Sequence, residues 1–309
     1  MMPARALTAL DAALEGLPAA AVQRDAPLAP WCSVRVGGAA EALVRPPNVD
    51  AVVGVLRAAR EHGVPVAVLG GGANTLVGDG GVPGIVLKLP ADLAPEQIER
   101  VGERGRVTVC AGAAIARVVT LMKLHRWVGA EFLAGIPGTL GGAVTMNAGT
   151  KHGECMSIVE AVELATPDGA GFVEGLSFRY RHTELPTGSV VTRVRFALRD
   201  GDLADSQRRM DEDLGYRKRT QPLSQPNFGS VFTNPPGHFA GQLIESVKLK
   251  GHRIGNAQFS TLHANWIVNL GQATAKDVTS LMDLAQQRVR EATGVELTPE
   301  VQRLGVFLP

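Results

Sequence analysis

Three consecutive glycines at positions 70–72 follow an apolar stretch, Val66–Leu69, and precede Ala73 and Asn74. Because glycine has no Cβ, the amide N–H groups of such a run can point into one concavity and bind phosphate oxygens with no side chain in the way. Asn74 adds a side-chain donor beside them. A hairpin turn explains the glycines equally well when they are taken alone. The segment 66–79 is therefore predicted to be either a diphosphate cradle or a tight turn.

Two common nucleotide-binding motifs do not fit this segment. Thr75 stands where the third glycine of G-x-G-x-x-G belongs, and Leu76 and Val77 predict a strand where that motif needs a helix. The G-K-[ST] ending of a P-loop does not follow either. A cradle at this point must therefore belong to a different nucleotide-binding fold.

A second glycine-rich segment covers residues 135–149 and is too apolar for a solvent-exposed linker. Packed turns explain it when it is taken singly, but two such segments favour a large, flat, bound cofactor. The predicted cofactor contacts are Gly70, Gly71, Gly72, Ala73, Asn74 and Thr75 in the first segment and Gly135, Pro137, Gly138, Gly141, Gly142, Asn147, Ala148 and Gly149 in the second.

Three polar residues elsewhere have side chains suited to catalysis. Ser230 stands between apolar residues and lacks the second glycine of G-x-S-x-G, which argues against an acyl-transfer nucleophile. Arg181 and Glu300, taken one at a time, are ordinary ion-pair candidates. None of the three identifies a reaction by itself.

Charge and composition narrow the classes of partner. Thirty-one basic against thirty acidic side chains leave a formal charge of +1, so no global field attracts nucleic acid or an anionic membrane. No stretch approaches the roughly 20 apolar residues of a membrane helix. No two of the cysteines, Cys32, Cys110 and Cys155, form a C-x-x-C pair. His152 and Cys155 could both bind a metal ion, but no further metal-ligating residues lie near them in the sequence. We therefore predict no disulfide, no metal site and a cytoplasmic location.

The elements that must position these residues alternate between helix and strand. Asn48 is predicted to cap a helix over Val49–His62 that ends at Gly63, and Thr274 and Asp277 form a capping box for a helix to residue 292. The other predicted elements are helices at 7–16, 114–125, 202–219 and 239–246, and strands at 64–69, 76–77, 85–89, 107–110, 158–165, 171–176, 190–198 and 301–308.

Taken together, the ordered segments resemble the UDP-N-acetylenolpyruvoylglucosamine reductase (MurB) family of flavoenzymes in peptidoglycan synthesis. The resemblance extends over most of the chain, from Val34 to Glu300. It is carried by the Val34-Arg35-Val36-Gly37-Gly38 entry, the 70–79 cradle, Glu131 to Gly138, Met146 to Gly149, Phe178-Arg179-Tyr180-Arg181, Gly229-Ser230-Val231-Phe232, His263-Ala264-Asn265 and Pro299-Glu300-Val301.

The resemblance implies an α+β fold. Two subdomains, 1–92 and 93–203, are expected to bind FAD as in flavoproteins of the vanillyl-alcohol-oxidase (PCMH) type. A C-terminal α+β domain, 204–309, is expected to bind the substrate, and its final segment from about 297 to return toward the FAD domain. A monomer is expected.

The resemblance also implies a reaction. NADPH reduces FAD, and the enolpyruvyl group of UDP-N-acetylglucosamine enolpyruvate is then reduced to give UDP-N-acetylmuramate. Arg181 is expected to bind the substrate carboxylate, Ser230 to donate a proton, and Glu300 to stabilise the developing charge by hydrogen bonding. The expected substrate contacts are Tyr180, Asn234, His252, His263 and Asn265.

Several positions depart from the family pattern. Ala73 stands where a serine is usual, Thr183 where a serine is usual, and Gln302 where an arginine is common. Between residues 190 and 205 there is no insertion that carries a tyrosine, which indicates the shorter subclass of the family. Two alternatives stay open: a flavin oxidoreductase of the same fold with another substrate, and a binding paralogue without turnover.

Overall fold

The structure is a computed structural model that describes residues 4–309, with side chains from residue 9 onward. The described helices are α1 (Ala4–Ala13), α2 (Val49–His62), α3 (Ala116–Leu124), α4 (Leu140–Thr145), α5 (Leu203–Thr220), α6 (Ala240–Ser246) and α7 (Ala275–Thr293). None of them is both long enough and apolar enough to cross a bilayer.

The described strands are β1 (Val22–Pro27), β2 (Ala39–Val44), β3 (Val66–Val68), β4 (Thr75–Val77), β5 (Val82–Leu87), β6 (Gln97–Val101), β7 (Arg104–Cys110), β8 (Trp127–Val128), β9 (Gly149–Thr150), β10 (Gly153–Glu154), β11 (Val159–Thr166), β12 (Gly169–Val173), β13 (Phe178–Arg179), β14 (His182–Thr183), β15 (Val190–Asp200), β16 (Asn227–Ser230), β17 (Arg253–Ile254), β18 (Ala257–Phe259), β19 (Trp266–Asn269) and β20 (Gln302–Leu304).

The chain divides into two compact units. The first comprises the residues up to Arg24 together with 42–71 and 84–215, and the second comprises 25–41, 72–83 and 216–309. The chain passes from one unit to the other inside the first glycine-rich segment, between Gly71 and Gly72. This division groups residues that contact one another. The predicted segments 1–92, 93–203 and 204–309 group residues by the ligand they are expected to bind, and they stay predictions.

The first unit is built around an antiparallel sheet of order β12-β11-β15-β7-β6, with β8 also paired to β15. Val107, Val109, Val194 and Phe196 are fully buried on one face of this sheet, as alternation along a strand requires. The strands predicted at 158–165 and 171–176 correspond to β11 and β12, which form a hairpin in which Thr166 pairs with Gly169. Side chains of this sheet pack into the hydrophobic core of the unit, together with those of the helices.

The helix caps predicted from sequence are confirmed. The Asn48 side chain accepts a hydrogen bond from the Ala51 amide (2.9 Å), and Gly63 ends α2 with φ 64°. Thr274 and Asp277 form the reciprocal capping box of α7. Both helices bury an apolar face, formed by Val52, Val53, Leu56 and Ala59 in α2 and by Val278, Leu281, Met282, Ala285 and Val289 in α7.

The second unit contains an antiparallel sheet of order β16-β19-β18-β17, with α7 packed on β17 and β18. β20 pairs in parallel with β4, so that Gln302 is opposite Thr75. The prediction of a strand over 301–308 was too long. Gly305 has φ 84°, a left-handed conformation that ends the strand after Leu304.

A four-stranded sheet of order β1-β2-β5-β3 leads into the first glycine-rich segment. β3 lies parallel to β5, with Val66 opposite Ile85 and Val68 opposite Leu87. The predicted strand over 64–69 is shorter in the structure, but it ends directly before the glycines as expected. The short strand β4 after the glycines, predicted in place of a crossover helix, is confirmed.

Candidate active site

The two glycine-rich segments meet within the first unit. A Cβ atom added at Gly71 would lie 2.5 Å from Gly138 Cα, and one added at Gly70 would lie 2.7 Å from Thr139 Oγ1. Both distances are shorter than real Cβ contacts allow. At Gly71 a side chain would displace backbone, whereas at Gly70 it would displace the Thr139 side chain. The sequence prediction that the two segments act together is supported by this contact.

The second glycine-rich segment is pinned to the end of β7 by main-chain hydrogen bonds. The amides of Leu140 and Gly141 donate to the carbonyls of Ala113 (2.9 Å) and Ala111 (2.8 Å). The amide of Ile115 donates back to the Gly138 carbonyl (3.1 Å). The backbone is therefore fixed by the protein itself.

Lys88 is a residue at this site that the sequence reasoning missed. Its Nζ donates a hydrogen bond to the carbonyl of Gly70. A lysine at the end of an otherwise apolar predicted strand was the available signal, because a charged side chain in such a position needs a partner. The interaction fixes the first glycine of the run.

In the second unit, Gly72 and Asn74 hold the rest of the first segment. Gly72 has φ 62°, and an added Cβ would lie 2.2 Å from the carbonyl oxygen of Trp31. The Asn74 side chain donates to the carbonyl of Glu300 (3.0 Å), and its own carbonyl accepts from the Gln302 amide (2.9 Å). Asn74 thus joins the predicted cradle to the segment that carries Glu300.

Ser230 follows a β-bulge. Asn227 pairs with Val268 and Ser230 pairs with Trp266, so one extra residue is inserted in β16 relative to β19. Gly229 has φ 82°, the left-handed conformation that bulges of this kind place at a glycine. Such a bulge re-aims the side chain that follows it, which here is the hydroxyl of Ser230.

Glu300 lies on the segment next to Ser230. Its amide donates to the carbonyl of Val231 (2.8 Å), and Pro299 forms an isolated bridge with Phe232. The side chain of Gln302 donates to the Glu300 carbonyl (3.1 Å). Within this unit the fold therefore brings together two of the three predicted catalytic residues, and the departure at Gln302 contributes to holding one of them.

Arg181 lies in the first unit, at the tip of the two-residue hairpin that joins β13 and β14. Arg179 pairs with His182, and Tyr180 and Arg181 form the turn. Arg181 has φ 59°, and of the two turn residues it alone adopts the left-handed region, which is the pattern of a type II turn. Its guanidinium lies 4.8 Å from the centroid of the Tyr180 ring. A non-glycine residue at this position is uncommon and marks a constrained site.

The polar side chain of the second glycine-rich segment, Asn147, is fully buried and has φ 41°. Its amide group donates to Glu154 Oε2 (2.8 Å) and to the carbonyl of Arg179 (3.1 Å), and its oxygen accepts from the Met156 amide (3.0 Å). Next to it, the Ala148 carbonyl accepts from the Cys155 amide (2.8 Å). The donor and acceptor groups of the Asn147 side chain therefore form hydrogen bonds within the protein.

The predicted substrate contacts of the second unit differ in what their side chains do. Asn265 is buried and makes both amide hydrogen bonds to the backbone of Phe232, as donor (2.8 Å) and acceptor (3.0 Å). Asn234 is exposed, and its oxygen accepts from the Ala240 amide (3.0 Å) at the start of α6. Of the two histidines, His252 is half-buried in the loop before β17, and His263 lies just before Asn265.

His263 is half-buried, and its Nδ1 accepts a hydrogen bond from the Asn265 amide (3.2 Å). Burial, followed by the positive charge of Lys250, lowers the pKa of this imidazole below its usual value. Its ring centroid is 6.1 Å from that of Trp266, which is the strand partner of Ser230. The neutral imidazole is thus part of the structure around the bulge.

The pair His152 and Cys155 does not form a ligand set. Burial raises the pKa of the Cys155 thiol to about 12, so it stays protonated and is a poor metal ligand. His152 Nε2 lies 3.2 Å from a carboxylate oxygen of Asp213. Among residues 4–309, no group of three or more His, Cys, Asp or Glu side chains could hold a metal ion.

Comparison with known proteins gives two family models that match separate parts of the chain. A model described as an FAD binding domain matches residues 40–172. A model described as the C-terminal domain of UDP-N-acetylenolpyruvoylglucosamine reductase matches residues 221–304. The first range contains both glycine-rich segments, and the second contains Ser230 and Glu300.

Individual relatives match over nearly the whole chain. The UDP-N-acetylenolpyruvoylglucosamine reductase of Myxococcus xanthus (strain DK1622) is 64% identical over 310 residues, which cover 100% of this chain and of that protein. The protein of the same name from Anaeromyxobacter sp. (strain Fw109-5) is 56% identical, over 93% of this chain and 89% of that one. The crystal structure of the Thermus caldophilus enzyme (MurB) superimposes with a TM-score of 0.79 at 37% identity, over 92% and 98% of the two chains.

Proposed function

Because this chain belongs to the UDP-N-acetylenolpyruvoylglucosamine reductase (MurB) family, we propose that Arg181, Ser230 and Glu300 carry out its reaction. The chain reduces UDP-N-acetylglucosamine enolpyruvate to UDP-N-acetylmuramate in peptidoglycan synthesis, with FAD as bound cofactor and NADPH as hydride donor. The predicted α+β fold class is confirmed, and the two alternative functions are not favoured.

The glycine-rich segments fit an FAD that needs close approach to the backbone. At Gly70 and Gly71 a side chain would collide with the second segment, and at Gly72 it would collide with Trp31. Such a backbone surface suits a pyrophosphate, because amide groups reach the oxygens without side chains between them. We assign the pyrophosphate to backbone donors of residues 70–75, and not to the Asn74 side chain, which donates to Glu300.

Bound FAD would be held by the backbone of residues 70–75, and after reduction by NADPH it would supply the hydride for the terminal carbon of the enolpyruvyl double bond. The neighbouring carbon and its carboxylate then gain negative charge, and a proton must be added to that carbon to complete the saturated lactyl ether. Arg181 is the cation assigned to the carboxylate, because its planar fork of donors matches two carboxylate oxygens. The left-handed backbone conformation of Arg181 fixes the direction in which its side chain leaves the main chain.

Ser230 is assigned as the proton donor. A neutral hydroxyl is a weak acid, so its transfer must coincide with the build-up of charge on the carbon that it protonates. Glu300 is held on the next segment through the Val231 carbonyl, and it is assigned to stabilise the same charge by hydrogen bonding. The bulge before Ser230 and the bonds of Asn74 and Gln302 to Glu300 keep both residues in place.

One observation carries the assignment of these residues. The amide of Glu300 bonds the carbonyl of the residue that follows Ser230, at 2.8 Å, so the two predicted groups lie on directly bonded segments although they are far apart in sequence. The arrangement puts a residue with a hydroxyl and a residue with a carboxyl on neighbouring segments. It supports a catalytic role for both.

The function is tested by separating the two half-reactions. Under anaerobic conditions, NADPH is expected to bleach the flavin absorbance of the purified protein, and UDP-N-acetylglucosamine enolpyruvate is expected to restore it. The product should be identified as UDP-N-acetylmuramate by mass spectrometry. Flavin that is bleached by NADPH but does not recover with this substrate would contradict the function.

We also propose that the enzyme acts in the cytoplasm as a monomer. Cys32, Cys110 and Cys155 are buried and their spacing includes no C-x-x-C pair, as a reducing compartment favours. Light scattering of the purified protein tests the oligomeric state, and cell fractionation tests the location.

A further inference from the structure

The hairpin that carries Arg181 is fixed to the second glycine-rich segment at both of its strands. On β13, the Arg179 carbonyl accepts from the Asn147 side chain (3.1 Å). On β14, the buried Thr183 hydroxyl donates to the Val144 carbonyl (2.6 Å). The two anchored residues flank the turn formed by Tyr180 and Arg181.

Both anchors are built into the protein interior. Asn147 is fully buried, with both its donor and its acceptor groups used, and Thr183 is 3% exposed. The partner atoms belong to one short stretch, 144–147, which comprises the end of α4 and the loop after it. A displacement of this stretch would therefore move the whole hairpin and not one strand of it.

The turn itself needs this support. Arg181 holds φ 59°, a left-handed conformation that residues other than glycine adopt only at a steric cost. Exposed two-residue hairpins with short strands are not stable alone, and β13 and β14 have two residues each. The two hydrogen bonds to residues 144–147 therefore stabilise a hairpin that its own short strands would not hold.

We infer that Asn147 and Thr183 are positioning residues for Arg181, so that the second glycine-rich segment sets the place of the guanidinium as well as contacting the cofactor. This inference rests on the proposed role of Arg181. It reassigns Asn147 from a cofactor contact to a support of the hairpin, and it gives a function to the hydroxyl at position 183. A threonine serves as well as the serine usual there, because both side chains carry the hydroxyl that bonds Val144.

The test uses Thr183→Val, which removes the hydroxyl and keeps the side-chain shape, with Thr183→Ser as the matched control that keeps the hydroxyl. Substrate-driven reoxidation of the flavin at saturating substrate should slow by between about 5-fold and about 100-fold in T183V. It should stay within about 2-fold of the wild-type rate in T183S. Reduction of the flavin by NADPH should be unchanged in both variants, because the role assigned to Arg181 is to bind the substrate carboxylate.

A second measurement separates positioning from general destabilisation. In an Arg181→Lys background, where the planar fork is already lost, Thr183→Val should add less than about 2-fold to the defect. A merely structural role for the hydroxyl predicts independent, multiplying effects in this cycle. Asn147→Ala should behave as T183V does, and if it fails to fold, the Thr183 series still decides the matter.

The outcomes distinguish this inference from the proposed function. Loss of substrate-driven reoxidation in the wild-type protein would contradict the function itself. Normal wild-type reoxidation with equal rates in T183V and T183S would overturn the inference and leave the function intact. Multiplying effects in the Arg181→Lys cycle would overturn it as well.

Discussion

The hairpin at Arg181 and the bulge at Ser230 both use a left-handed backbone residue to orient a polar side chain, but they place that residue differently. At the bulge, Gly229 takes the left-handed conformation (φ 82°), and Ser230 follows it in the strand. At the hairpin, Arg181 takes that conformation itself (φ 59°).

The difference separates a relaxed site from a strained one. Glycine adopts positive φ at no steric cost, so the bulge holds Ser230 without strain at the serine. Arginine pays roughly 1–2 kcal/mol for the same region, which the anchors at 144–147 must offset. Strain stored at a residue whose side chain acts on a ligand is a common feature of active sites. The four predictions below test this contrast, from the largest effect to the smallest.

Replacement of Ser230 by alanine should have the largest effect. S230A is expected to slow substrate-driven reoxidation of the flavin by about 10²- to 10⁴-fold, because the proton donor is lost, and to leave NADPH reduction unchanged. Anaerobic stopped-flow absorbance measures both steps. Ser224→Ala removes an exposed serine of the same unit and serves as the control. Reoxidation of S230A at the wild-type rate would remove Ser230 from the mechanism.

The strained residue should separate activity from stability. Arg181→Ala and Arg181→Gly are both expected to slow reoxidation by about 10²- to 10³-fold, because the cation is lost in each. Their free energies of unfolding should differ, with R181G more stable than R181A by roughly 1 kcal/mol, since only glycine relaxes the turn. Denaturant titration measures that difference. An R181A protein as stable as R181G would show that the turn is not strained.

At the bulge, alanine should again be less stable than glycine. Gly229→Ala is expected to lower the free energy of unfolding by roughly 1–2 kcal/mol, although an added Cβ meets no atom within 4 Å, because alanine disfavours φ 82°. Reoxidation should slow with it as Ser230 shifts. Gly171→Ala, on β12, also has open space but no positive φ, and should change stability by less than about 0.5 kcal/mol. Equal stability of the two variants would contradict the prediction.

Some features of the fold could be predicted from the sequence better than others. The helices were predictable because local signals define them: Asn48 and Thr274 start α2 and α7, and Gly63 and Gly294 end them. The pairing of the two glycine-rich segments followed from their shared composition and is supported by the close approach of Gly71 to Gly138. The bounds of short strands were less accurate.

The roles of the asparagines could not be predicted. Asn74, Asn147 and Asn265 were expected to contact ligands, yet each amide bonds a backbone carbonyl elsewhere in the chain. An asparagine side chain can bond either a ligand or the protein, because the choice depends on which distant segment folds against it. The same holds for Lys88, whose partner Gly70 lies on another strand end.

The smallest predicted effect is a pH dependence on the bulge side. Burial, followed by the charge of Lys250, lowers the pKa of His263, whose Nδ1 accepts from Asn265. The unfolded chain, with a histidine pKa of about 6.5, therefore binds more protons than the folded one below that pH. The neutral His263 imidazole should therefore make its full contribution to the free energy of unfolding above about pH 6.5. This contribution should be lost as the pH falls toward the lower pKa of the folded state.

Denaturant titrations between about pH 5 and 8 measure this contribution. His263→Gln should remove that part of the pH slope, whereas His62→Gln, at an exposed position near the end of α2, should leave it unchanged. Because His263 supports Asn265, which grips the backbone of Phe232 after the bulge, acid should also slow reoxidation more in the wild-type protein than in H263Q. A slope that persists in H263Q would assign the titration to another group and leave the bulge independent of pH.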